Sequence, residues 1–414
     1  MRRVDAAVLA ELLAAESRLR YSVETEPGAR PYLRAWGTAG PVGALGFAVE
    51  SDVLDVTMVV EPLTCERLDI VDLLAALATV PAAADLAGVR VHTADLLIRY
   101  EAHRAGFVSD LRGPLVPGDR PIGPYGGLLD RRDGDGERDA GWLAGEVGRV
   151  VTGASVTADR APRAFGRLAR GATAGFGDMA RLVVRPAGGA PAFVVAVPIR
   201  DDVIAESVAL AIDTTLAVRR TFGGAIDHLK TVSFDHAAHG MVKGRYAGMA
   251  NANASVVHIN ASFALADDLL DLRRGREASP PKRPSGQVGG PFTAIDGTTA
   301  HELWHQMEAA FEARHYADSI QFRRALGEYF GVETIEQVTN GGHARSPDAW
   351  RAAYARLGEE VSPYATTNPR EATAEMFKFW WCIAGPLPPV IRQFGALLET
   401  YFGVDPQPPA DRAA

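Results

Sequence analysis

The amino-acid sequence predicts an α+β chain divided into two domains. Helix-like and strand-like runs alternate over residues 4–120, a stretch of Gly, Asp and Arg without periodicity interrupts them, and everything after residue 290 reads as helix. At 414 residues the chain exceeds what one hydrophobic core usually organises. Apolar residues at 47% and charged residues at 23% are the balance of a globular protein rather than a disordered one.

In the first part the pattern predicts a helix near residues 4–20, strands at Gly43–Val49 and Leu54–Val60, and a helix over Asp69–Ala78. A strand at Val89–His92, a helix from Asp95 to Arg104 and a strand from Phe107 follow. The expected domain limits are 1–125 for this α/β part, 126–175 for a linker through DRRDGDGERDAG, 176–405 for the second domain and 406–414 for a disordered tail. The second domain opens with β-like runs at Leu182–Arg185 and Phe193–Val197 and a helix from Val203 to Phe222. Further strands are expected at Thr231–Phe234 and Ala254–Phe263, and a basic, Pro- and Gly-rich insertion fills 273–290.

A formal charge of −8 and a pI near 5.7 give no general attraction for phosphate backbones, so nucleic acid is not an expected partner. Cys65 and Cys382 are the only cysteines and form no CxxC, so a metal would have to be held by His and carboxylates. The first apolar run is broken by Asp5, Glu11 and Glu16, as in an amphipathic helix and unlike a secretory signal. With no apolar run of about eighteen residues, no membrane span is expected, and the cytoplasm is the expected compartment unless a route without a cleavable signal is used.

The stretch HELWH carries the chemistry. Residues four apart share a helix face, so His301 and His305 can converge on one ion with Glu302 beside it. Asp296 or Thr298 can cap the helix, and Ala300, Leu303, Met307, Ala310 and Phe311 recur as one buried stripe. Two imidazoles and a carboxylate around zinc leave a fourth position for a water whose pKa falls to about 7, and Glu302 can take its proton. Amide hydrolysis is what such a site serves best. The pattern also arises by chance, so a third ligand is needed.

The metzincin pattern HExxHxxGxxH is excluded, because Glu308 and Phe311 stand where its Gly and third His would be. Glu328 falls at a thermolysin-like distance, but no acid follows at Val332. The remaining candidates lie in SPYATTNPREATAEMFKFWW: Tyr364, Asn368, Glu371 and Glu375. From the residues alone, Asn368, Pro369 and Glu371 can be the N-cap, first position and capping-box glutamate of a helix, which would leave Glu375 as the ligand. Tyr364 can equally be a packed loop aromatic. His315 and His343 are weaker ligand candidates, and the pair His236 and His239 falls near a strand.

The spacing Y-x-x-x-N-x-x-E-x-x-x-E downstream of HExxH resembles that of the lethal-factor-like (ATLF-like) gluzincins, over residues 225–385. That resemblance implies a zincin metallopeptidase domain and Zn2+ as cofactor. It makes Glu302 the general base, Tyr364 the oxyanion donor and His301, His305 and Glu371 the metal ligands, with Glu375 and Asn368 supporting them from behind. The sequence departs from the family at Ala372-Thr373, where an aromatic pair is common, and at Trp304, where a small residue is common. In zincins an edge strand above the metal takes the substrate as a further strand; the candidate is 255–261, with Val256, Val257, His258 and Ile259 as substrate-binding residues. The first 120 residues resemble a GNAT-type acyltransferase fold, although Leu63-Thr64-Cys65-Glu66-Arg67-Leu68 lacks the glycines of its phosphate loop. The expected function is therefore zinc-dependent hydrolysis of a protein or peptide. The alternative is a non-catalytic binding or regulatory protein on a zincin scaffold.

Overall fold

A computed structural model describes residues 4–26, 30–61, 64–93, 95–105, 107–108, 116–117, 140–159, 179–200, 202–235, 248–251, 255–266, 268–269, 295–340, 347–382 and 387–404. The expected insertion at 273–290, the tail from 406, and His236, His239 and His343 lie outside these residues. The architecture is mixed α+β, and the chain divides into two compact units.

The first unit holds helix α1 (Ala6–Glu16), strands β1 (Arg20–Glu24), β2 (Tyr32–Trp36), β3 (Pro41–Glu50) and β4 (Val53–Val60), helix α2 (Arg67–Ala84), strand β5 (Gly88–His92) and helix α3 (Leu96–Ala105). The short strands β6 (Phe107–Val108) and β7 (Val116–Pro117) pair with each other. Asp5 caps α1 by accepting the Val8 N–H at 3.0 Å, and Leu9 and Leu13 face the core from one side of that helix. The five long strands lie in chain order, antiparallel except for the parallel pair β4 and β5. At the start of α2 the Asp69 carboxylate accepts the Glu66 N–H at 3.1 Å. Two acidic side chains thus occupy the helix end where an anion would bind, and they disfavour a phosphate group there.

The second unit is built on a six-stranded sheet. Its strands are β8 (Ala154–Ala158), β9 (Met179–Pro186), β10 (Phe193–Pro198), β11 (Thr231–Asp235), β12 (Gly248–Asn251) and β13 (Val256–Asn260), in the order β12-β13-β11-β10-β9-β8. The central strands β10, β11 and β13 are parallel, and the outer ones run antiparallel to their neighbours. Parallel strands need a crossover, and α5 (Ala205–Phe222) supplies it between β10 and β11. Helix α4 (Ala140–Val150) packs on β8 and β9.

Among the described residues this unit has six further helices: α6 (Ile295–Arg314), α7 (Tyr316–Tyr329), α8 (Ile335–Asn340), α9 (Pro347–Glu360), α10 (Pro369–Cys382) and α11 (Pro389–Phe402). Trp304 of α6, 1% exposed, lies 5.0 Å from the Phe377 ring, 5.3 Å from Phe394 and 5.7 Å from Phe402, so it anchors α6 to α10 and α11. Trp304 therefore fills the core between these helices.

The structure corrects several expectations. Residues 140–158, assigned to a linker, form α4 and β8; their Gly and Arg content masks the apolar set Leu143, Ala144 and Val147 that α4 buries. Strands β1, β2 and β12 are additional to the expected elements. Helix α6 already includes Asp296 and Thr298 in its first turn, so neither is its N-cap. No helix among the described residues is long and apolar enough to cross a membrane.

Between β3 and β4, Ser51 and Asp52 have φ of 51° and 64°, the left-handed pair of a two-residue hairpin that suits Asn-Gly best. The double substitution Ser51→Asn and Asp52→Gly is expected to stabilise the first unit by about 1 kcal/mol, read as a higher urea midpoint at unchanged m-value.

Candidate metal centre

Helices α6 and α10 pack along each other and bring the two distant motifs together. On α6, His301 and His305 are one turn apart, with ring centroids 4.9 Å apart and ring planes at 81°. On α10, Asn368 is the N-cap, its Oδ1 accepting the N–H groups of Arg370 at 3.0 Å and Glu371 at 3.1 Å. Pro369 begins the helix, where its missing N–H costs nothing. The Glu371 side chain faces the histidines: its Oε2 lies 2.9 Å from His301 Nε2 and 3.5 Å from His305 Nε2.

These three residues form a group able to hold a metal, with one donor atom from each within 4.8 Å of the others. Tetrahedral zinc with bonds of about 2.0–2.1 Å separates its ligand atoms by roughly 3.3 Å, so the observed spacing and the His, His, carboxylate chemistry both fit that ion. Glu375, one turn beyond Glu371, stands on the other side of His301, its Oε1 2.9 Å from Nδ1. It orients the imidazole and leaves Nε2 aimed at the group's centre. Of the two glutamates left open by the sequence, Glu371 is the one facing both histidines.

Burial opposes charge on His301, but hydrogen bonds to Glu371 and Glu375 outweigh it and push the imidazole up to about 9. Burial acts against ionisation of Glu371 too, yet the two histidines hold its carboxyl well below the usual range. Glu375 is likewise held low, against burial, by Lys378 and His301. Glu302 differs: only 5% exposed, it is pushed up by burial, and the nearby histidines offset this in part. A carboxyl whose proton affinity is raised beside a prospective metal site suits a base that must take and later return a proton.

Tyr364 opens a 3₁₀ turn, Tyr364–Thr366, with its ring 6.0 Å from that of His301. It is 49% exposed, which removes the reading of a packed aromatic. Burial of its hydroxyl end and the neighbouring glutamates raise its pKa, so the phenol keeps its proton as a donor.

The substrate strand is corrected. Val256, Val257, His258 and Ile259 lie in β13, which is paired on one side with β11 and on the other with β12. Its backbone groups are committed to both neighbours, so no further strand can add to it. Among the described residues the edge of the sheet beside β13 is β12, which sequence reasoning missed because its Gly248-Met249-Ala250-Asn251 has no alternating pattern. A Cβ at Gly248 would stand 2.7 Å from Glu302 Cγ and Oε1, so glycine is what lets this strand approach the carboxyl. His258 instead bonds through Nδ1 to Asp235 at 3.0 Å, while Asp235 also accepts from Ser233 Oγ.

Ser362 and Lys378, both bonded to Glu375, were also missed. Lys378 carried a signal, since it lies three residues after Glu375 on one helix face. His315 is an exposed residue at the start of α7 and takes no part. Comparison of the chain with protein-family models, with curated proteins and with solved structures finds no match.

Titration with zinc tests the donor set. Glu371→Ala is expected to abolish tight binding, whereas Glu375→Ala should weaken it only about 10- to 100-fold. The reverse order, read by chelator competition, would make Glu375 the ligand.

Proposed function

We propose that the chain is a zinc-dependent peptidase that hydrolyses a peptide bond in a protein or peptide, and that its second unit is a zincin-type domain of the gluzincin kind. The observation that carries this reading is the convergence of His301, His305 and Glu371 beside the buried carboxyl of Glu302, next to the strand that ends the sheet among the described residues. A binding scaffold has no need of a base held there.

When bound, zinc supplies Lewis acidity, polarising a carbonyl and lowering the pKa of a water to about 7. His301, His305 and Glu371 would hold the ion, and Glu375 keeps His301 in the required tautomer by accepting its Nδ1–H. Glu302 takes the proton of the attacking water and returns it to the leaving amine, which its raised proton affinity favours. The Tyr364 hydroxyl donates to the oxyanion as it develops. Strand β12 would align an extended substrate by backbone pairing next to Glu302, the role first expected of β13. The proposed setting is cytoplasmic, with the first unit selecting or presenting the substrate rather than binding an acyl-CoA.

The decisive experiment loads wild type and Glu302→Gln with zinc and follows cleavage of a peptide library by mass spectrometry. Expected are about one zinc per chain in both proteins and a loss of roughly 10³-fold in kcat/KM for the variant. Absence of zinc from the wild type would instead favour the non-catalytic scaffold. Gly248→Ala must displace the Glu302 carboxyl, so it should lower kcat/KM by about 10- to 100-fold at unchanged zinc content. Full activity of that variant would remove β12 from the site.

A further inference from the structure

Glu375 is fully engaged behind the candidate centre. Its Oε1 accepts from His301 Nδ1 at 2.9 Å and from Lys378 Nζ at 2.6 Å, and its Oε2 accepts from Ser362 Oγ at 2.8 Å. Ser362 is 1% exposed, and its Oγ also accepts the Ala365 N–H at 3.0 Å. That N–H belongs to the residue after Tyr364, in the turn that presents the phenol. A hydroxyl has one proton to give and lone pairs to receive. Here the proton goes to the carboxylate behind His301, and a lone pair goes to the turn bearing Tyr364. Capping the turn would need only the lone pair, so the bond to Glu375 is left over from a purely local role.

We propose that Ser362 is a positioning residue that holds the metal-facing imidazole of His301 and the phenol of Tyr364 in one fixed relation, by joining Glu375 to the Tyr364 turn. The inference rests on the peptidase reading and deepens it. Without the hydroxyl, Glu375 Oε2 is buried with no donor from this turn, so the carboxylate can rotate away from His301 Nδ1. The turn loses the tie that registers it against α10. Both a ligand and an oxyanion donor then drift, although neither has been altered.

The test uses the full chain with Ser362→Val and Ser362→Thr, which share a shape and differ in the hydroxyl. Zinc affinity is read by competition with a chromophoric chelator, and kcat and KM are measured separately on a peptide that the wild type cleaves. Ser362→Val is expected to weaken zinc binding about tenfold and to lower kcat by a similar factor, with KM changed less than about twofold. Ser362→Thr should restore both to within about threefold of wild type. In a Tyr364→Phe background, Ser362→Val should lower kcat by less than its effect in the wild type, because the two changes act on one path.

Equal zinc affinity for the Thr and Val variants, or fully multiplicative losses in the Tyr364→Phe background, would overturn the inference. Should the Val variant not fold, Ser362→Ala takes its place against Ser362→Thr in the same measurements. A wild type that binds no zinc ends the peptidase reading and this inference with it. A wild type that binds zinc and cleaves peptide, with Thr and Val variants alike, ends the inference alone.

Discussion

His301 is gripped from both sides by carboxylates that belong to one turn of one helix. Glu371 meets its Nε2 and Glu375 its Nδ1, each at 2.9 Å, and these two bonds fix how α10 lies along α6. The rest of the centre follows from that placement. His305 is brought to Glu371 by helical periodicity, and Glu302 is turned to the flank where β12 passes. Around the polar pair, the two helices are held by apolar contacts, Trp304 stacking on Phe377 one turn from the carboxylates. The hydrophobic contacts supply the bulk of the attraction between the helices, and the hydrogen bonds select a register.

A second polar network lies farther along α6, where Glu308 accepts from Thr373 of α10 at 3.2 Å. Glu308 is buried and pushed up to about 7 by desolvation, which Arg323 of α7 partly offsets. Arg323 also bonds Glu312 at 3.0 Å, and Glu312 receives Arg370 from α10 at 3.2 Å. Three helices are thereby pinned at a second point. The first unit presents a contrast: its α2 start is closed by its own acidic side chains and offers nothing comparable to a ligand.

Much of this was legible in the sequence because it is written in local periodicity. HELWH declares its face by spacing, and Asn368-Pro369 declares the start of α10 by cap chemistry. The assignment of Glu371 over Glu375 was not legible from the residues alone, since both lie on one face and only the approach of α6 separates the oxygen facing Nε2 from the one facing Nδ1. Strand order was hidden for a related reason. The run Val256–Asn260 is the strongest β pattern in its region, and strong patterns belong to strands covered on both faces and both edges. The edge strand is weak because, among the described residues, nothing pairs with its outer side, and its defining residue, Gly248, matters for what it lacks. Ser362 was invisible because its partners are 13 residues away on a helix and three residues away in a turn, with no spacing rule to link them.

The burial of α6 on nearly every side carries a consequence for how this protein can change. From Ile295 to Glu308 the helix buries Glu302, Gln306 and Glu308 together with its apolar residues, and a fold designed for stability alone would not put two carboxyl groups and an amide there. Their burial costs desolvation, so the segment gains robustness by losing those groups and gains chemistry by keeping them. Selection for thermal resistance without selection for activity would therefore erode this helix first. Retention of its carboxyl groups across diverging descendants would mark a lineage in which the chemistry is still in use.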